Sequence, residues 1–464
     1  MLVAKLQERS EKKKLPLVGS FFLLFAILPF PIISLTEYSE HDAQRLSQWG
    51  ICAVAALYAL IVGAAMPRRW LLLSVFLLLF GVLDHRWALI EANHLVLLFA
   101  LFCVWSGSIR DGQQYQLAVL YAGVSAAYLV VVLPRWAAII VEGLPFHSQE
   151  FFYGFSNQRF FGHWVTLSLP VMVHVRSRLA HKYCPGWSLD LAIGLWVAFG
   201  LASGTRGTWV ALTIAGVAVA LAGAQGRAFA GQLIRSVCIG GFAYVVMFVI
   251  LPWLTGSVHV SAPGVGRVLE GAHFSGRGVL WAFALDGIQD HPWLGNGPMS
   301  YAISDDVYAR HPHNLLLQVA YEWGIPVALA LAIWIARGLM KQVRIVRNSS
   351  DDGLRVALLA ALIGGLAQAQ VDGIFVMPFT QVCFVYLCAL LISMNEVEVQ
   401  PPSSEGRFFR ARILPLGFLV LVGGQLILMW PELSRFSAWE LESLEATGVP
   451  MYQPRYWLQG VIFP

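Results

Sequence analysis

The residues of this 464-residue chain best suited to chemistry lie in the run Arg310-His311-Pro312-His313-Asn314, which leads straight into the apolar stretch LLLQVAYEWGIPVALALAIW. Pro312 stops any preceding helix, so two histidines and an amide sit in a turn at the mouth of a membrane helix. Polar groups at that depth are costly and mark function. Gln318, Tyr321 and Glu322 follow, placing Asn314, Gln318 and Tyr321 or Glu322 on one helical face.

Upstream, Ser275-Gly276-Arg277-Gly278 opens a helical run that reaches Asp290. Ser275 is suited to cap that helix, which puts Arg277 in its first turn, where the cation and the helix start both favour an anion. Arg159 opens another span beside Asn157, in GFSNQRFFGHW, and Arg206 fills the short hairpin SGTRG. Snorkelling accounts for either arginine singly. With Arg277 and His313 on the same side of the membrane, they point to one diphosphate site, because a guanidinium grips phosphate with a planar fork of donors.

These residues need a membrane frame. The chain is 58% hydrophobic and only 12% charged, too little charge for a soluble domain, and apolar runs of spanning length recur along it. They are continuous and do not alternate, which excludes a barrel and predicts an all-α polytopic membrane protein of 12–13 transmembrane helices. The spans fall near 17–35, 49–66, 70–83, 88–105, 116–133, 160–175, 188–202, 207–223, 236–254, 314–336, 356–375, 378–394 and 413–430, the third short enough to be re-entrant. Outer segments 134–159 and 255–313 are long enough to carry function, the second being the large loop between the ninth and tenth spans. With the N-terminus inside, the inner segments hold 21 of the 31 Lys and Arg residues, as the positive-inside rule requires. The ten outside are all arginine: Arg45, Arg86, Arg135, Arg159, Arg206, Arg267, Arg277, Arg310, Arg435 and Arg455.

The six cysteines form no CxxC pair and no metal-ligand spacing. The first span follows a basic stretch and has no small-residue cleavage site, so it reads as a retained anchor. The tail after Trp430 is expected outside, with one amphipathic helix through Glu442 and an aromatic end suited to the membrane interface.

Four ordered blocks, GFSNQRFF, SGTRGTWVAL, SGRGVLWAFALDGIQDHPWLGNGP and HPHNLLLQVAYEWGIP, resemble the bacterial O-antigen ligase and polymerase superfamily, which includes the O-oligosaccharyltransferases that glycosylate pilins. The resemblance covers 154–395 and divides the chain into N-terminal transmembrane helices (1–153), a ligase core holding the loop 255–313 (154–395), and a last helix with an outer tail (396–464). It implies a C-type glycosyltransferase of the inner membrane with its site on the periplasmic side. Such an enzyme takes a glycan from undecaprenyl diphosphate and gives it to an acceptor hydroxyl, with no nucleotide sugar, metal or other cofactor and no nucleic-acid partner. Carried over residue by residue, the resemblance makes His313 catalytic and Arg159, Arg206 and Arg277 the diphosphate-binding residues, with His311, Asn314, Gln318 and Asn157 in support. His313 outranks His311 because it directly precedes Asn314 and the helix. SNQRFF and VMPFTQ look most like the short pilin-glycosylating ligases, which favours a pilin-type acceptor; lipid A core and a growing glycan chain are the alternatives. A transporter or flippase would need half-helices broken near the midplane, and none is evident.

Overall fold

The computed structural model describes residues 17–36, 38–63, 66–82, 85–180, 185–256, 276–304, 306–349, 352–395, 408–434 and 455–457. The described chain is all-helical and contains no strand. Seven helical segments are long and apolar enough to cross a membrane: Leu17–Leu35, Glu40–Val62, Arg86–Ser108, Gln114–Glu142, Ala224–Thr255, Ile325–Asn348 and Phe409–Leu433. Four shorter apolar helices accompany them, at Gly186–Ala202, Arg206–Leu221, Gly353–Gln368 and Pro378–Ser393. This is a multi-pass membrane protein.

In chain order the helices are α1 (Leu17–Ile27), α2 (Pro29–Leu35), α3 (Glu40–Val62), α4 (Arg68–Val82), α5 (Arg86–Ser108), α6 (Gln114–Ala127), α7 (Leu129–Glu142) and the single turn α8 (Ser148–Phe151). The central part adds α9 (Gln158–Leu179), α10 (Gly186–Ala202), α11 (Arg206–Leu221), α12 (Ala224–Val245) and α13 (Leu251–Thr255). There follow α14 (Arg277–Asp290), α15 (Ser300–Ile303), α16 (Leu315–Trp323), α17 (Ile325–Asn348), α18 (Gly353–Gln368), α19 (Pro378–Ser393) and α20 (Leu414–Leu433).

The centre is α9, buried continuously from Phe160 to Val175 and packed against α6, α10, α11, α18 and α19. Its polar positions face protein: Thr166 Oγ1 donates to Gln368 Oε1 at 2.5 Å, and Ser168 accepts from Trp196 Nε1 at 3.0 Å. Small residues let the backbones close up, as membrane packing favours. A Cβ on Gly162 would lie 2.6 Å from Thr205, and one on Gly240 would lie 2.2 Å from Val197.

Several spans differ from their expected limits, each for a local reason. α3 starts at Glu40, nine residues before the expected span, because Ser39 caps it and its polar first turns are buried in the bundle. α7 continues through Pro134 to Glu142, so much of the expected outer segment 134–159 is helix. The span expected at 314–336 breaks at Gly324, whose φ is 85° and whose Cβ would strike the Trp293 carbonyl at 2.3 Å. The one expected at 356–375 ends at Gln368, and the chain leaves the helix through an Asp-Gly turn. Ser275 with the rest of 257–275, residue 305 and the expected helix through Glu442 lie outside the described residues.

Candidate functional site

Three helices each begin with an arginine in the first turn: α9 with Arg159, α11 with Arg206 and α14 with Arg277. Asn157 caps α9, its Oδ1 accepting from the Arg159 N–H at 2.9 Å. Among the described residues α11 and α14 have no side-chain cap, which leaves their first N–H groups suited to an anion. At α14 the cap position is Gly276, with φ 69° and a Cβ site occupied by the Tyr308 hydroxyl. The three guanidinium groups make no hydrogen bond or ion pair among the described residues. Their charges nonetheless reach one another. Burial lowers the Arg277 guanidinium pKa, the cations of Arg159 and Arg206 lower it further, and Asp372 pulls it up.

Asp372 is the anchor of this cluster. Its Oδ2 lies 3.2 Å from His163 Nε2, in ion-pair contact although off the hydrogen-bond direction, and its Oδ1 is 3.7 Å from His313 Nδ1. Oδ1 also accepts from the Gly373 N–H at 2.9 Å. Burial alone would raise this carboxyl, but His163 and His313 outweigh it and hold it well below the usual carboxylate range. The start of α11 closes on it: a Cβ on Gly207 would lie 3.7 Å from Asp372 Oδ2.

The His311–His313 turn is held from several sides. His313 has φ 53°, a left-handed backbone that costs a non-glycine residue on the order of 1 kcal/mol. The Trp281 indole donates to the Pro312 carbonyl at 2.9 Å, and the His313 N–H donates to His311 Nδ1 at 3.3 Å. Asn314 caps α16 by accepting from the Leu317 N–H at 3.0 Å and donates to the Gln370 carbonyl at 3.1 Å, joining this turn to the Asp372 loop. His311 is buried, whereas His313 keeps a fifth of its side chain exposed. The two rings meet edge to face with centroids 4.0 Å apart.

Two cavities meet at this turn. One, of about 170 Å³, is lined by Asn157, Arg159, Tyr308, Arg310, His311, His313 and Asp372. The other, of about 150 Å³, shares His311, Asp372 and Gly373 and continues to Asn314, Gln318, Glu322, Glu91, His94, Arg45 and Arg455.

Of the described outer arginines, several are structural. Arg45 donates to Gln48 and Gln381 at 2.8 Å and to the Val376 carbonyl at 3.0 Å. Arg455 bridges Glu91 at 2.7 Å and Glu322 at 2.8 Å. Arg310 donates to the Ala302 and Ser304 carbonyls, and Arg86 pairs with Glu432 at 2.6 Å. Tyr456 and Trp457, read as an interfacial end, are instead buried against Trp49, Trp87 and Met429. Sequence reasoning missed Asp372 and His163. Asp372 stood inside an apolar run where only the Asp-Gly pair signalled a turn, and His163 stood unremarked two residues after the first block.

Among the described residues no group of three or more His, Cys, Asp or Glu side chains is placed to hold a metal ion. Residues 191–332 match the O-antigen ligase family. A stretch of 70 residues is 40% identical to an O-antigen ligase of Pseudomonas aeruginosa, covering 14% of this chain and 16% of that relative. No solved structure matches. Arg159, His163 and Asp372 lie outside the matched region, while Arg206, Arg277, His311, His313 and Asn314 lie within it, so that region of the chain is similar to the O-antigen ligase family.

Proposed function

We propose that the chain transfers a glycan from undecaprenyl diphosphate to an acceptor hydroxyl at the periplasmic face of the bacterial inner membrane. The observation that carries this reading is the set of three arginines at three helix starts, unpaired among the described residues and gathered around the Asp372–His313 couple. The acceptor oxygen attacks the sugar's anomeric carbon, the bond from that carbon to the diphosphate oxygen breaks, and the diphosphate leaves with the electron pair. Arg159, Arg206 and Arg277 offset the charge that develops on it. His313 takes the acceptor's proton, and ionised Asp372 stabilises the resulting imidazolium.

Taken together, the seven long segments, four shorter apolar helices, α4 and α9 allow thirteen passes, and with that count the excess of Lys and Arg on the opposite side supports an outer site. An apolar cavity of about 250 Å³ is lined by Leu23, Phe30, Val131, Phe155, Trp164 and Phe379, reaching the segment that leads into α9. Its lining suits the first isoprene units of the lipid.

For the acceptor, the SNQRFF and VMPFTQ stretches favour a pilin-type protein hydroxyl. A second reading, ligation to lipid A core, is favoured by the name that the matched family and the Pseudomonas aeruginosa relative share. Purified protein in liposomes with a lipid-linked glycan, offered pilin, core lipid or no acceptor in parallel, separates them. Transfer to pilin alone supports the first, transfer to core lipid alone the second, and glycan lengthening without acceptor shows a polymerase. Transfer is expected to survive chelator; loss restored by magnesium or manganese would overturn the metal-independent mechanism.

A further inference from the structure

Resting on that reading, we propose that the cavity behind His311 and Asp372 is a sugar chamber that takes the donor's first ring, the one bonded to the diphosphate. The argument starts from charge. Three carboxylates, Glu91, Glu322 and Asp372, line this chamber, and both its arginines are already engaged by protein acceptors: Arg455 by Glu91 and Glu322, Arg45 by Gln48, Gln381 and the Val376 carbonyl. A diphosphate entering here would meet carboxylates and no available guanidinium, so an anion is excluded. A neutral ring bearing hydroxyls is suited to it, since carboxylates and the amides of Asn314 and Gln318 both accept from hydroxyl groups.

A second observation points the same way. His94 lines the chamber, is 4% exposed, and among the described residues its Nδ1 has no hydrogen-bond partner. A buried ring nitrogen of this kind costs on the order of 1 kcal/mol or more unless something fills the space beside it. Trp323 and Tyr456 add aromatic carbon to the lining, a surface of the kind against which the C–H groups of a pyranose pack. The volume, about 150 Å³, is on the scale of one ring.

The shared wall decides which sugar. The bond to be broken joins the donor's first sugar to phosphate, so that sugar must sit directly beside the phosphate cavity. The chamber and the arginine cavity have His311, Asp372 and Gly373 in common. Gly373 keeps the wall thin, since a Cβ there would strike the His311 ring at 2.5 Å.

The test compares retention of undecaprenyl diphosphate with and without one attached N-acetylhexosamine, on purified full-length protein. Wild type should prefer the sugar-bearing lipid by about tenfold, on the order of one charged hydrogen bond. Gln318→Ala, a change at a half-buried position, and Glu91→Gln, which leaves Arg455 its second carboxylate, should each reduce that preference by about threefold or more while leaving retention of the bare lipid unchanged. Thermal midpoints near wild type confirm that both variants fold. An undiminished preference in both variants, or an effect on acceptor KM alone, overturns the chamber as a donor-sugar site while leaving the parent reading standing. Wild type that retains neither lipid overturns the parent reading and the chamber together.

Discussion

The two cavities that share His311, Asp372 and Gly373 use arginine in opposite ways. On the first side Arg159 lines the cavity from an exposed helix start, and Arg206 and the half-buried Arg277 stand at helix starts within reach of its charge although outside the lining; none of the three is in an ion pair among the described residues, whereas Arg310 in the same lining is tied to the Ala302 and Ser304 carbonyls. On the other side Arg45 and Arg455 are buried and fully engaged, and the carbonyls of Arg455 and Tyr456 accept from Arg45 in turn. One residue type therefore serves as available charge in one cavity and as a tie between distant segments in the next. What separates the roles is the company of acids and carbonyls.

The most severe way to break the comparison is at Arg455. Arg455→Met leaves Glu91 and Glu322 facing each other with no cation between them, which should cost about 3–5 kcal/mol and show as a large drop in thermal midpoint. Adding Glu322→Gln should restore part of it; a midpoint unchanged by Arg455→Met would mean the tail is not seated there. Across the wall, replacing Arg159, Arg206 or Arg277 singly by Lys keeps the charge but loses the fork. Turnover should fall about 10²-fold with the midpoint unmoved. Full turnover in all three Lys variants would return these arginines to snorkelling.

The smallest effect concerns the wall itself. Burial first, then the neighbouring His313 and Arg455, holds His311 neutral, well below its ordinary 6.5. The unfolded chain takes up a proton as pH falls below about 6.5 while the folded protein does not, so stability drops as pH falls through that window, by at most about 1.4 kcal/mol per pH unit. The midpoint of wild type should therefore fall more between pH 7.5 and 5.5 than that of His311→Gln. Parallel curves would show that His311 is not held neutral.

Much of this was legible in sequence because it rests on local signals. The all-helical frame follows from apolar run length, and Arg159, Arg206, Arg277, His311, His313 and Asn314 stand at turns that open helices. Asn314 caps α16 as its type and place suggest. What escaped depends on contacts between distant segments. Asp372 read as part of a span because Val371, Ile374, Phe375 and Val376 surround it with apolar side chains; only folding brings it to His163 and His313. Arg45 and Arg455 looked like outer cations because most of their acceptors lie far away in the chain, Gln381 and the Val376 carbonyl for Arg45, Glu91 and Glu322 for Arg455.

The most direct test of the central claim is retention of bare undecaprenyl diphosphate by wild type, the three single Lys variants and His313→Ala, each also scored for glycan transfer. If the arginines hold the leaving group and His313 acts on the acceptor, as proposed, the Lys variants should lose both retention and transfer, whereas His313→Ala should retain the lipid as wild type does and fail to transfer. Lys variants that retain the lipid at wild-type strength, or a His313→Ala protein that transfers normally, would contradict the account.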